Sequence, residues 1–248
     1  MLHNSGEMPA TLDFVRDCGA AWGVHINWLE YRLISGEHAF EVVSHNSASR
    51  AGEPFEAVIK HRGFLPNGRA IFCSGELKTR TIARFIRAER GWTVWKQIIG
   101  LRADWADAKR VDKIRLREPR DTELRGVTFP LHEHGITKAD VLAFWADQPF
   151  DLRLKGPWEG NCDGCFRKRK TAIARMFLDH PHRMEWWPEM ESERAGLTKT
   201  AQGAVFRDDW KGGYAGVRDL EFDQGRLDLD ADDDGMDAFN DCGTGCGI

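Results

Sequence analysis

The sequence lacks any run of about 18 apolar residues, the length a bilayer-spanning helix requires, and its start has no basic segment followed by an apolar stretch and a cleavage site. A spanning helix and a secretory leader are therefore not expected, and the compartment expected is the cytoplasm. Charge of one sign is lacking too. Thirty-five Lys and Arg stand against 39 Asp and Glu, a formal net charge of -4. That balance argues against a general polyanion binder and weighs against nucleic acid as a partner, although basic residues crowd the middle of the chain and Asp crowds its end. No internal repeat is found. Cysteine is sparse, with six in 248 residues, at 18, 73, 162, 165, 242 and 246. In a reducing compartment such thiols point to ligands or catalytic groups rather than a disulfide framework.

Apolar residues make up 42% of the 248, enough to bury the core of one α/β domain with or without an appendage. Pro9 suits a first helical turn and Gly23 a stop, so residues 9–22 are predicted helical. "VHINWLEY" then alternates apolar and polar and reads as a strand, completing a β-α-β unit whose first strand is nearly missing. Residues 44–69 are polar and glycine-containing and read as a loop. "ELKTRTIARFIRAERG" sets Leu77, Ile82, Phe85 and Ile86 on one side of a helix closed by Gly91. "TVWKQIIGLR" reads as a buried strand that ends in Arg102, where doubly wound sheets line their ligand crevice. Thr137 and Asp140 mark a capped helix, and "FRKRKTAIARMFLDH" is predicted to be a helix starting directly after Cys165. The expected fold is a doubly wound, mostly parallel α/β sheet with a truncated first strand over residues 1–191. An irregular, acidic, glycine-rich tail is expected over 192–248.

The stretch "EGNCDGCF" carries Cys162 and Cys165 at a spacing that lets two thiolates hold one metal or cluster, or form one reversible disulfide. A following helix N-terminus, with Arg167, Lys168, Arg169 and Lys170, would favour thiolate. The alternative is a glycine turn with incidental thiols. Cys73, in "IFCSGELKTR", is placed at a strand end from which it could approach the pair, or is a small core residue. Lys78, Arg80, Arg102 and Arg110 form a scattered cationic set suited to phosphate or sulfate. Cys242 and Cys246 lie in "DCGTGCGI", either a mobile nucleophile segment or a frayed end. Asp230, Asp232, Asp234, Gly235 and Asp241 match the spacing of a calcium loop without its flanking helices, so a solvated acidic tail is preferred. His132 and His134 read as surface residues, and the tryptophans of "MEWWPEM" as core.

In order, "NSGEMPATLDFVRDC", "FCSGELKTR", "IGLRAD", "FPLHEHGITKADVLAFW" and "GNCDGCF" resemble the phosphoadenosine phosphosulfate reductase family, in particular its phage and bacterial reductase-like branch. That family belongs to the adenine-nucleotide α-hydrolase-like superfamily. The resemblance spans residues 1 to about 191. The family's Ser-Gly-Gly phosphate loop, which precedes the segment matched by Asn4, Ser5 and Gly6, has no counterpart here.

The resemblance implies an oxidoreductase that takes an adenylyl sulfate, with or without the 3'-phosphate, and releases sulfite. It implies Cys242 as the attacking thiol and a thioredoxin- or glutaredoxin-type reductant. Lys78, Arg80, Arg102 and Arg110 become the anion contacts. Cys73, Cys162 and Cys165 become ligands of an iron-sulfur cluster, possibly 4Fe-4S, with Cys246 or Cys242 as a fourth. A homodimer is compatible with it. The alternatives are ATP-dependent sulfur transfer to nucleic acid at an iron-sulfur site, with ATP as the nucleotide, and a non-catalytic remnant.

Overall fold

A computed structural model describes residues 6–116 and 124–220 of the chain. Helix α1, Pro9–Trp22, starts on its proline and stops at Gly23, which is left-handed at φ 62°, as the sequence predicts. The chain then enters β1, Trp28–Ile34, and returns as β2, Glu37–Val43, in antiparallel register with Trp28 opposite Val43 and Ile34 opposite Glu37. Ser35 and Gly36 both have positive φ, 52° and 85°, which gives the two-residue turn whose twist matches a hairpin. The expected parallel β-α-β start is therefore replaced by a hairpin.

The stretch expected as a loop contains α2, Glu53–Arg62, whose Phe55, Val58 and Ile59 fall on one buried face. From Cys73 the chain is helical again, first through a wide π-type turn over Gly75–Arg80, then as α3, Thr81–Arg90, closed by left-handed Gly91. Cys73 thus opens a helix, where a strand end was expected.

Strands β3, Trp95–Ile98, and β4, Leu124–Thr128, pair in parallel on either side of α4, Trp105–Arg115. Among the described residues the sheets are these two pairs, and no extended parallel sheet forms. The fold is mixed α/β and mostly helical. The doubly wound layout needs strands apolar on both faces. Here β3 carries Lys96 and Gln97 at its centre, and Ile98 is 71% exposed.

Next come α5, Pro130–Glu133, and α6, Lys138–Ala146, the latter with the predicted capping box between Thr137 and Asp140. The last helices are α7, Lys170–Asp179, α8, Pro181–Met184, α9, Trp186–Arg194, and α10, Gly213–Arg218. The main core joins Tyr31, Phe55, Leu77, Phe177 and Trp187 to Phe206, Trp210, Tyr214 and Val217. The stretch after residue 192, read as a tail, therefore supplies core up to α10. The acidic calcium-like loop, Cys242 and Cys246 lie outside the described residues. Among the described residues no helix is long and apolar enough to cross a membrane.

Candidate functional site

Helix α7 begins at Lys170, four residues later than the sequence suggests, and the interval holds two consecutive turns. The Cys165 N–H donates to the Cys162 carbonyl at 3.2 Å, and the Lys168 N–H to the Cys165 carbonyl at 2.8 Å. The loop is fastened on one side by the N-terminal segment. Glu7 and Cys162 form an antiparallel bridge, and the Asp163 N–H donates to the Gly6 carbonyl at 2.6 Å. On the other side the Tyr214 hydroxyl donates to the Gly164 carbonyl at 2.6 Å, and Arg207 donates to the Phe166 carbonyl at 3.0 Å. Two segments far apart in sequence thus hold the two cysteines in place.

The shorter helix turns Lys168 inward. It is 3% exposed, and its Nζ donates to the carbonyls of Trp158 at 2.5 Å and Asp163 at 3.1 Å. Burial pushes the Lys168 ammonium below its ordinary value, opposed by charge on Cys165, Asp163, Cys162 and Glu159. Asp163, between the cysteines, is 2% exposed and pairs with Arg183 at 2.5 Å. Burial raises the Asp163 carboxyl, and Arg183 and Lys168 pull it back. Arg183 also donates to the Glu7 carbonyl at 3.0 Å. Glu159 meets His180 Nε2 at 2.5 Å.

Of the expected cluster ligands, Cys165 is buried, while Cys162 and Cys73 are partly buried and pack on the same core. Among the described residues no three His, Cys, Asp or Glu side chains are gathered to hold one metal ion. The thiol arrangement that does fit a thiolate-bound group is the Cys162–Cys165 loop, with a buried cation beside it. Among the described residues Cys73 packs against the same core without joining the pair in a three-residue metal set.

The four expected anion contacts fall into three carboxylate networks. Lys78 binds Glu7 at 2.7 Å. Arg80 binds buried Glu76 at 2.5 Å, and Arg62 and Arg84 also pair with that carboxylate. Burial would raise Glu76, but the Arg62 hydrogen bond and the charges of Arg80 and Arg62 outweigh it and hold the carboxyl below its ordinary range. Arg102 and Arg110 share Asp107, at 3.1 and 2.8 Å.

Next to Glu76, buried Tyr31 meets His38 Nδ1 at 2.8 Å, and the His38 and His61 rings lie 4.5 Å apart. Sequence reasoning did not find this group, nor Glu7 and Arg183. Nothing in the run "FRKRK" marks which of its cations turns inward. The His132 Nδ1–H donates to the Arg102 carbonyl at 3.2 Å, and Trp187 is core, as the sequence predicts for that tryptophan.

The chain is 27% identical over 176 residues to the "uncharacterized nin region protein ORF290" of Escherichia phage lambda, a match covering 67% of this chain. It spans about half of that relative's length, 55%. No family model matches the chain, and no solved structure does.

Proposed function

We propose that this is a phosphoadenosine phosphosulfate reductase-like protein, with the Cys162–Cys165 loop as its redox or cluster centre. It acts in a reducing, cytoplasmic setting, and the similarity to a phage lambda protein agrees with a phage-borne role. The observation that carries the reading is the pair of cysteines turned around a buried ammonium, an environment that favours thiolate. The reaction is thiol-dependent reduction of an adenylyl sulfate. A thiolate attacks sulfur and the adenine nucleotide departs with its phosphate; a second thiol then attacks the cysteine sulfur, forming a disulfide and releasing sulfite. Cys242 is the attacking residue implied by the family resemblance. Cys162 and Cys165 are the residues that would hold an iron-sulfur cluster, which would supply electron capacity. Among the described residues Cys73, the third ligand implied by the resemblance, is not gathered with them into a three-residue metal set. Lys78, Arg80, Arg102 and Arg110 would serve as anion contacts only by exchanging their carboxylate partners for the substrate.

The test is anaerobic incubation with adenosine 5'-phosphosulfate, its 3'-phosphorylated form or ATP, with thioredoxin or glutaredoxin as reductant. Sulfite release from either sulfate is expected. Binding of ATP alone would overturn the reading in favour of sulfur transfer, and binding of none would overturn it in favour of a non-catalytic module.

A further inference from the structure

A charge buried in protein is tolerated when an opposite charge accompanies it, because desolvation is not otherwise repaid. Lys168 is 3% exposed, yet both of its Nζ hydrogen bonds end on neutral backbone carbonyls. The neighbouring carboxylates are committed elsewhere, Asp163 to Arg183 at 2.5 Å and Glu159 to His180 at 2.5 Å. Among the described residues no carboxylate forms a salt bridge with Lys168. The carbonyl it binds at 3.1 Å belongs to the residue between the two cysteines, and its own N–H binds the carbonyl of buried Cys165. Asp163 and Glu159 also act on this ammonium, but each already holds a partner, Arg183 or His180; the cysteine pair is the further source of negative charge there.

We infer that Lys168 is the fixed countercharge of Cys162 and Cys165 and sets the reduction potential of that pair. Two electrons open a Cys162–Cys165 disulfide, breaking the S–S bond and leaving two sulfurs that take up protons or remain thiolate. A cation beside them stabilises the reduced, more negative form. Without the cation the pair is harder to reduce. Lys168 is thus a positioning residue for charge, and the inference deepens the function proposed above and rests on the pair being its redox centre.

The full chain, its Lys168→Met variant and its Lys168→Gln variant are equilibrated anaerobically in dithiothreitol buffers of graded ratio, and the Cys162–Cys165 state is read by intact mass. Lys168→Met should need a ratio of reduced to oxidised reagent about tenfold or more higher for half reduction. Lys168→Gln keeps a donor for the carbonyls but no charge, and should shift the same way. An unchanged ratio in the Gln variant would mean that Lys168 only ties backbone, and would overturn the inference.

Thermal midpoints of the reduced chain give a second arm. Lys168→Met should lower the midpoint of the wild type clearly more than that of Cys162→Ser/Cys165→Ser, and equal losses would overturn the inference even if the pair never oxidises. Sulfite release separates the two ideas. Its absence from the wild type alongside shifted ratios sinks the reductase reading only; its presence alongside unshifted ratios sinks the Lys168 inference only.

Discussion

The ring of Trp187 covers Gly164 so closely that a β-carbon on residue 164 would lie 2.3 Å from it. The glycine between the cysteines is therefore a packing requirement, since Trp187 is itself 3% exposed and wedged against Phe206 and Tyr214. Gly164→Ala should destabilise the fold by about 1–3 kcal/mol, the usual cost of overpacking. Chemical denaturation would register this as an earlier midpoint with unchanged slope; a midpoint equal to wild type would show that the loop yields easily.

Arg183 binds both the Asp163 carboxylate and the Glu7 carbonyl, and so ties the cysteine loop to the N-terminal segment. Removing it leaves a buried carboxylate without its cation. Arg183→Met should cost about 3–5 kcal/mol, and adding Asp163→Asn should restore much of the loss. Additive losses in the double variant would show that the two residues do not act as a pair.

Glu191 accepts the N–H groups of Phe206 and Tyr214 at 3.0 and 2.8 Å and so fastens the segment after α9 to the core. Glu191→Ala strands two buried donors and should cost about 1–3 kcal/mol for each, whereas Glu191→Gln retains an acceptor and should cost less. Limited proteolysis should cut the Ala variant first between residues 195 and 212. Equal protection of both variants would contradict this.

Acid should weaken the fold through His38 and Glu76. Burial holds the folded His38 below its ordinary value of 6.5, so the unfolded chain takes up that proton first and stability falls as pH drops through that region. Glu76 is held below its ordinary 4.5, so its contribution is present above that value and is lost as pH falls through the lower folded value. Burial raises Asp163 and Glu191, which act in the opposite sense. The His38→Gln variant should therefore lose less stability than wild type between pH 7.5 and 5.5, a window chosen about the ordinary histidine value. Parallel stability curves would contradict this assignment.

Local signals in the sequence carried the helices well. Pro9, Gly23, the Thr137–Asp140 box and Gly91 act through the backbone within one or two turns, so their effect does not depend on the tertiary fold. The sheet was misjudged because strand pairing is a non-local choice. Ser35-Gly36 selects a hairpin through its two positive φ values, and polar Lys96 and Gln97 leave β3 unable to sit inside a two-sided layer. Helix α2 was hidden because its apolar set, Phe55, Val58 and Ile59, is short and flanked by polar residues. At the site, the CxxC spacing was legible from the sequence. The partners of the loop, Glu7, Arg183 and Tyr214, come from remote segments that spacing cannot reveal.

Native mass spectrometry of the anaerobically purified chain tests the central claim most directly, by reading the state of Cys162 and Cys165. The account predicts either an iron- and sulfide-containing adduct that disappears in Cys165→Ser, or a disulfide between the two that forms on mild oxidation and reopens with thioredoxin. Two cysteines that stay free under every condition, with no adduct, would contradict it and leave the loop a structural turn.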